Sequence, residues 1–293
     1  MPEHCINLGL IGWPLEHSMS PQIHQAALHK LGICGNYRLF AIEPNNIMDI
    51  AISDLFDHVV SGELTGLNIT LPHKQNVLPF LSDLTPAAAH IGAVNTVFLE
   101  DGLLKGDNTD AAGFLNDLAH LPFVELTPAL ILGAGGAARA VLFSLLEAGH
   151  PVSIAARNPT KAQTLADSFN SIAKTPIQVL PLEDHALAQI SNTIGLVVNA
   201  TPLGMSPNIE TCPWPETLPL PVNASIYDLV YNPADTLLVR RARQSGRPAC
   251  SGLGMLVEQA SLAFERWTGL AAPRETMKQA AQQASKLSMN TSL

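Results

Sequence analysis

A parallel α/β fold in two domains is what this sequence predicts, and three observations carry the prediction. Strand-like apolar runs and amphipathic helix-like runs alternate from end to end, the order that lays helices on the faces of parallel sheets. The 293 residues exceed what one core ordinarily holds and suit two domains. A glycine-rich turn, Gly133-Ala-Gly-Gly-Ala-Ala138, follows an apolar strand and opens a helix, which marks one of the sheets as a ligand carrier.

The elements follow in order. Ile6 to Ile11 reads as a buried strand that stops at Gly12. Ser20 suits a helix N-cap, Pro21 the first helical position and Gly32 the stop, so a helix is expected from Pro21 to Leu31. Tyr37 to Ile42 and Gly66 to Ile69 read as strands, with an amphipathic helix from about Asn46 to Val60 between them. Val94 to Leu99 and Leu103 to Lys105, around Asp101-Gly102, read as a hairpin. A helix from about Thr109 to Leu121 leads to Pro122 and Pro128, where the composition places a domain boundary. The next unit reads as a strand from Ala129, the glycine turn with its helix, a strand Val152 to Ala156, a helix Pro159 to about Phe169 and a strand Ile194 to Asn199. Thr201 to Val222 is rich in proline without a clear period and reads as an ordered covering loop or a plain surface connection. After a strand Ile226 to Leu229 come helices from near Gly254 and from about Pro273 to Ser285.

Composition excludes several classes. The net charge of −9 argues against nucleic acid or an anionic membrane as the main partner. The most apolar stretch, Ala129 to Ala148, is broken by Gly133, Gly135, Gly136 and Arg139, so it reads as strand, turn and helix and not as a membrane span. Cys5, Cys34, Cys212 and Cys250 are scattered with no close pair. That spacing is expected to give neither a zinc site nor a disulfide framework, and it points to a reducing compartment. The opening Met1-Pro-Glu-His lacks the basic region of a signal peptide.

Polar residues cluster at the expected element ends. Gly133 permits the tight turn, Gly135 lets a pyrophosphate approach the backbone, and the small Ala138 lets helix and strand pack closely. The helix that begins at Gly136 and Ala137 offers free N–H groups to phosphates. The end of the next strand selects between cofactors. It carries Arg157, with Lys161 one turn on, and no acidic residue, so NADP is preferred to NAD unless the basic pair merely faces solvent. Lys74 and Asp110 form a candidate acid–base pair, in which a carboxylate orients an amine that donates to a reacting oxygen. Their spacing leaves open whether the two meet. Ser18 and Ser20 flank a helix start and can bind a carboxylate, although Ser20 is equally explained as a cap. Asn68, Thr70 and Asn95 can bond substrate hydroxyls or cap turns. His17, His24 and His73 lack metal-like partners and read as packing or hydrogen-bonding residues, so no metal site is expected.

Taken together these motifs resemble the shikimate dehydrogenase family. The resemblance rests on Gly12-Trp-Pro-Leu-Glu-His-Ser-Met-Ser-Pro21 with His24, on Asn68-Ile-Thr-Leu-Pro-His-Lys74, on Gly92 to Thr96 and on Asn108-Thr-Asp110. It continues through Asn199-Ala-Thr-Pro-Leu-Gly-Met205, Tyr227-Asp-Leu-Val-Tyr231 and Gly252-Leu-Gly-Met-Leu-Val-Glu-Gln259, all in order along nearly the whole chain. It implies an N-terminal α/β substrate domain at 1–112, completed by C-terminal helices at 253–293, and a Rossmann-type NADP-binding domain at 113–252. It implies reversible reduction of 3-dehydroshikimate to shikimate on the way to aromatic amino acids, in the cytoplasm, by a monomer or homodimer. By position, Lys74 and Asp110 take the catalytic places, and Ser18, Ser20, Asn68, Thr70, Asn95, Tyr227 and Gln259 the substrate contacts. Gly133, Gly135, Gly136, Ala137, Ala138, Arg157, Lys161 and Gly252 take the cofactor contacts. Ala156 and Lys161 depart from the asparagine and arginine common among the family's NADP-using members, and the positive character of the segment is kept. A quinate or quinate/shikimate dehydrogenase is the nearest rival, and the basic strand end argues against its usual NAD. A sensor module on the same fold needs neither Lys74 nor Asp110, and a different amino-acid-type dehydrogenase leaves Ser18, Ser20 and Gln259 unexplained.

Overall fold

A computed structural model describes residues 5–45 and 48–291. Its contacts divide into two compact units, one built from Met1–Gly113 and Val257–Ser288, the other from Phe114–Leu256.

The first unit opens with β1 (Ile6–Gly12), α1 (Ser20–Lys30), β2 (Gly35–Ala41), α2 (Met48–Val60) and β3 (Gly66–Ile69). After a turn of 3-10 helix at Leu78–Phe80 come β4 (Asp83–Leu84), α3 (Pro86–Ile91), β5 (Thr96–Glu100) and β6 (Leu103–Asp107). The six strands lie in the order β2-β1-β3-β5-β6-β4. β1 runs parallel to β2 and β3, whereas β5 is antiparallel to β3 and β6. The expected hairpin is present, and its turn residues Asp101 and Gly102 take φ of 54° and 76°, as a tight hairpin turn demands. Alternation splits the strands between two cores. Ile11, Leu67, Ile69 and Val97 meet Ile52, Phe56 and Val59, the buried stripe of α2. Leu8, Leu10, Tyr37 and Phe98 face the other way and meet Ala263 and Trp267.

The division between the units falls inside α4 (Thr109–Leu118). The second unit continues with β7 (Ala129–Leu132), α5 (Gly136–Glu147), β8 (Val152–Ala156), α6 (Pro159–Asp167), β9 (Gln178–Pro181) and α7 (Asp184–Ile190). It closes with β10 (Leu196–Asn199), β11 (Ser225–Asp228), α8 (Leu237–Gln244) and β12 (Ala249–Ser251). All its strand pairs are parallel, in the order β12-β11-β10-β7-β8-β9. The chain therefore starts at the centre and reverses direction between β7 and β10, the switch point where doubly wound sheets bind ligands. Both faces are buried: Ala129 and Ile131 join one core, Leu130 and Leu132 the other. This explains why β7 reads as a continuous apolar run. Within α9 (Leu253–Thr268) the chain returns to the first unit, and α10 (Arg274–Thr291) follows.

Several expectations need correction. Ser20 is not an N-cap: it is the first residue of α1, and Met19 occupies the cap position with no side-chain hydrogen bond. The long 201–222 loop holds no helix or strand, as expected, but β4, α3, β9, α7, α8 and β12 were not anticipated. At two to eight residues each, they are too short for periodicity to separate them from loops. The expected start of α2 near Asn46 lies outside the described residues. Cys5 and Cys34 form a disulfide, contrary to the sequence reading. Parallel pairing sets Ile6 opposite Gly35, so the residues before them meet despite a separation of 29 positions. The cysteine argument for a reducing compartment thus fails. Among the described residues no helix is long and apolar enough to cross a membrane, and no group of His, Cys, Asp and Glu could hold a metal ion.

Candidate active site

The first unit gathers its polar residues at the carboxyl ends of β1 and β3. Trp13 N donates to Leu71 O at 2.9 Å and Thr70 N to Ile11 O at 2.8 Å, so the two strands stay tied past their last pairs. Gly12 makes this possible, because a Cβ there would stand 2.3 Å from Thr70 Cγ2. The loop bearing half-buried Ser18 and the segment from buried Asn68 to Lys74 are held together in this way.

Lys74 meets Asp110. Its Nζ donates to Asp110 Oδ2 at 2.5 Å, with the two side chains only 17% and 11% exposed. Asp110 sits in the first turn of α4, where the helix dipole favours a carboxylate. Asn95 joins the pair to its surroundings. Its Nδ2 lies 2.9 Å from Asp110 Oδ1, 3.0 Å from Thr109 Oγ1 and 3.4 Å from Gln259 Oε1. Its Oδ1 accepts from Thr109 N at 2.8 Å, fastening the start of α4. Gln259 reaches this cluster because α9 crosses α4 closely: a Cβ on Gly113 would stand 2.8 Å from Gln259 N. Asn68 is nearly saturated internally, with Nδ2 donating to Asn95 O and Thr96 Oγ1 and Oδ1 accepting from Tyr37. Lys74, Asp110, Asn68, Asn95 and Gln259 are thus brought together, with Thr70 and both serines on the adjoining segments.

Tyr227 is engaged within its own unit. It lies in β11 of the second unit with no exposed surface, packs edge-on against Phe114, and donates its hydroxyl to Asp117 Oδ2 at 2.5 Å. Burial, chiefly, pushes its pKa upward. A side chain so enclosed, its one proton already given to a carboxylate, presents nothing to a substrate, and Tyr227 is removed from the set of contacts. Tyr37, Thr96 and Thr109, which the sequence reading did not single out as contacts, enter the hydrogen-bond cluster instead. Thr109 carried a signal, since it stands inside the Asn108-Thr-Asp110 motif; Tyr37 carried none, because strand tyrosines are common core residues.

The glycine turn of the second unit has the features a dinucleotide needs. Gly133 takes φ of +105°, and its N–H donates to Ala155 O at 2.8 Å, closing the turn on β8. Gly135 caps α5 without a side chain, and a Cβ built on it would meet nothing within 4 Å. The backbone there is open to a ligand, and the N–H groups of Gly136 and Ala137 begin the helix beside it. Ala138 is buried against the sheet. Arg157 and Lys161 are exposed at the start of α6, capped by Asn158 Oδ1 from Lys161 N at 3.0 Å. Gly252 is needed for packing: a Cβ there would stand 2.2 Å from Leu229 O. Nearby on the strand ends, Asn199 Nδ2 donates to Asp228 Oδ1 at 2.8 Å, and burial raises the Asp228 carboxyl to about 6.

A doubly wound parallel sheet with an open phosphate-type turn, and a second α/β unit carrying a lysine–carboxylate pair, define a two-unit α/β protein of the nucleotide-linked dehydrogenase class. Comparison with known proteins narrows the class. Residues 10–97 match the shikimate dehydrogenase substrate binding domain, and residues 252–282 the shikimate 5'-dehydrogenase C-terminal domain. The chain is 41% identical to the NADP(+) shikimate dehydrogenase of Desulforamulus reducens, over 92% of each chain. It matches the shikimate 5-dehydrogenase of Thermus thermophilus, solved in complex with NADP(H) and shikimate, with TM-score 0.83 and 37% identity over 95% of this chain and 99% of that one. It also matches the quinate dehydrogenase of Corynebacterium glutamicum, solved with NAD, with TM-score 0.84 and 30% identity over 95% and 99% of the two chains. The chain belongs to the shikimate dehydrogenase family.

Proposed function

We propose that this protein catalyses the reversible NADPH-dependent reduction of 3-dehydroshikimate to shikimate in aromatic amino-acid biosynthesis. The observation that carries the reading is the 2.5 Å contact between Lys74 and Asp110, backed by Asn95. Reducing a ketone puts negative charge on its oxygen, and a lysine ammonium held in place stabilises that charge and delivers the proton. Asp110 holds the amine, and Asn95 holds Asp110. Asn68, Thr70, Asn95 and Gln259 are the polar groups available to ring hydroxyls, and Ser18 with Ser20 those available to the carboxylate. NADPH, when bound, supplies the hydride. Gly133, Gly135, Gly136, Ala137 and Ala138 suit its pyrophosphate, and exposed Arg157 and Lys161 its 2′-phosphate. On this reading the unit of Met1–Gly113 and Val257–Ser288 takes the substrate and that of Phe114–Leu256 takes NADP.

Kinship to a quinate dehydrogenase solved with NAD makes quinate the competing substrate. The basic residues and absent carboxylate after β8 favour NADP and, with it, shikimate. The pathway supports a cytoplasmic place of action, for a monomer or homodimer, and the Cys5–Cys34 bond weighs against a strongly reducing one. The test is an absorbance assay of nicotinamide reduction that crosses shikimate and quinate with NADP and NAD. Turnover greatest with shikimate and NADP is expected; a preference for quinate with NAD overturns the reading.

A further inference from the structure

Asp228 ends β11 with no exposed surface, and three chain segments converge on it. Its Oδ1 accepts from Asn199 Nδ2 at 2.8 Å and from Val230 N at 3.0 Å, and its Oδ2 accepts from Thr236 Oγ1 at 2.6 Å. Thr236 in turn caps α8 by accepting from Val239 N. Burying a carboxylate is costly even when its oxygens are hydrogen-bonded, and an apolar side chain would fill the space at less cost. What the carboxylate adds is a fixed place for Asn199. The Asn199 amide points one way only. Its Nδ2 lies 3.3 Å from Leu203 O, which can only accept, and its Oδ1 lies 2.9 Å from Thr201 N, which can only donate. The same Oδ1 accepts from Thr201 Oγ1 at 2.7 Å, and Thr201 Oγ1 accepts from Leu203 N at 3.2 Å. The chain after β10 is thus folded around one buried side chain, and Asp228 holds that side chain.

The segment so held lies against the glycine turn. A Cβ on Gly133 would stand 2.9 Å from Thr201 Cγ2 and 3.1 Å from Ala200 O, so the turn packs on this segment with no room to spare. Ala200 N also donates to Leu132 O, one residue before the turn, at 2.9 Å. We propose that Asp228 is a positioning residue for the dinucleotide: acting through Asn199, it sets Thr201 and Ala200 as the wall that keeps the Gly133 turn in its binding shape. This rests on the reading that the second unit takes NADP. It assigns work to Asn199 and Asp228, two motif residues outside the substrate and cofactor contacts described above.

The test measures NADPH affinity directly, by titrating nicotinamide fluorescence against the full enzyme without substrate, beside thermal melts without cofactor. Thr201→Val puts a methyl where Asn199 Oδ1 accepts a proton and so breaks the link at the loop. It should weaken NADPH binding about tenfold, the worth of one lost hydrogen bond. Its Tm should fall by less than about 3 °C, because Thr201 is only half-buried. Asp228→Ala should weaken binding by a similar factor, and the double variant no further than the worse single one. Asp228→Asn separates position from stability. Two N–H donors face Oδ1, so the amide nitrogen takes the place of Oδ2 and meets Thr236. The Asn199 bond survives, and affinity should return to within about threefold of wild type. The disturbed α8 cap should still lower the Tm by about 3–6 °C. Affinity that simply follows the Tm across the variants overturns the proposal, as does Thr201→Val binding NADPH as tightly as wild type. A wild type that does not bind NADPH overturns the cofactor reading as well. Should Asp228→Ala not fold, Thr201→Val and Asp228→Asn decide the matter by themselves, since neither opens a cavity.

Discussion

Lys74→Ala tests the centre of the site. It removes an ammonium 2.5 Å from Asp110 Oδ2 and leaves the carboxylate with the Asn95 Nδ2 donor at 2.9 Å. Two costs follow. Loss of the proton donor should lower kcat about a hundredfold to ten-thousandfold, or roughly 2.7–5.5 kcal/mol of barrier, with a smaller change in KM. Stranding a carboxylate whose side chain is 11% exposed should cost about 3 kcal/mol of stability, the low end for a broken buried pair because the site is not fully closed. For a protein of this size that is a drop in Tm of about 6–12 °C. Adding Asp110→Asn separates the two costs. The amide carries no stranded charge, so most of the lost Tm should return. The rate should fall no further, because Asp110 acts through the amine that is already gone. Initial rates of NADP reduction by shikimate and thermal melts of the single and double variants are the measurements. Near wild-type turnover in Lys74→Ala, or rate losses that multiply in the double variant, would refute the pairing argument.

Ser18→Ala should raise KM for shikimate by about ten- to a hundredfold, the worth of a hydrogen bond to a charged group, with kcat little changed because the carboxylate is remote from the ketone. In Ser20→Ala the melting point should stay within about 2 °C of wild type, since Ser20 caps nothing; a larger fall would show a structural role. Arg157→Ala should raise KM for NADP by about ten- to a hundredfold and leave NAD nearly unaffected, and equal losses with both cofactors would refute the 2′-phosphate assignment. Buried His24, whose pKa falls from 6.5 to about 3 through desolvation, sets a pH dependence. Its neutral form is favoured in the folded state, so its contribution is complete above pH 6.5 and declines as pH falls toward 3, by about 1.4 kcal/mol per unit. Asp228, raised to about 6, acts in the opposite sense below that pH. The discriminating measurement is therefore the difference in stability–pH slope between wild type and His24→Phe, and identical slopes would remove His24 as the cause.

The architecture and the chemistry on offer can be read from the pattern of residues along the chain. Long elements were legible because burial imposes a period: β7 and β8 as apolar runs, α2 and α5 as stripes or apolar faces, and the Gly133 turn because only particular residues fit its backbone. Motif order was enough to name Lys74, Asp110, Asn95 and Gln259 together. Tertiary structure decided which of these groups meet and which way each one points. Gln259 lies 164 positions from Asn95, and no local spacing encodes that the bare Gly113 lets α9 approach α4. Tyr227 looked like a contact in its motif, yet its strand turns it inward onto Asp117. Ser20 looked like a cap, yet it is already the first residue of α1, with Met19 in the cap position. Cys5 and Cys34 looked unrelated until parallel strands set their neighbours side by side. In each case the local pattern records which side chain is available, while its partner is chosen by backbone segments distant in the chain and brought near by the burial of apolar surface.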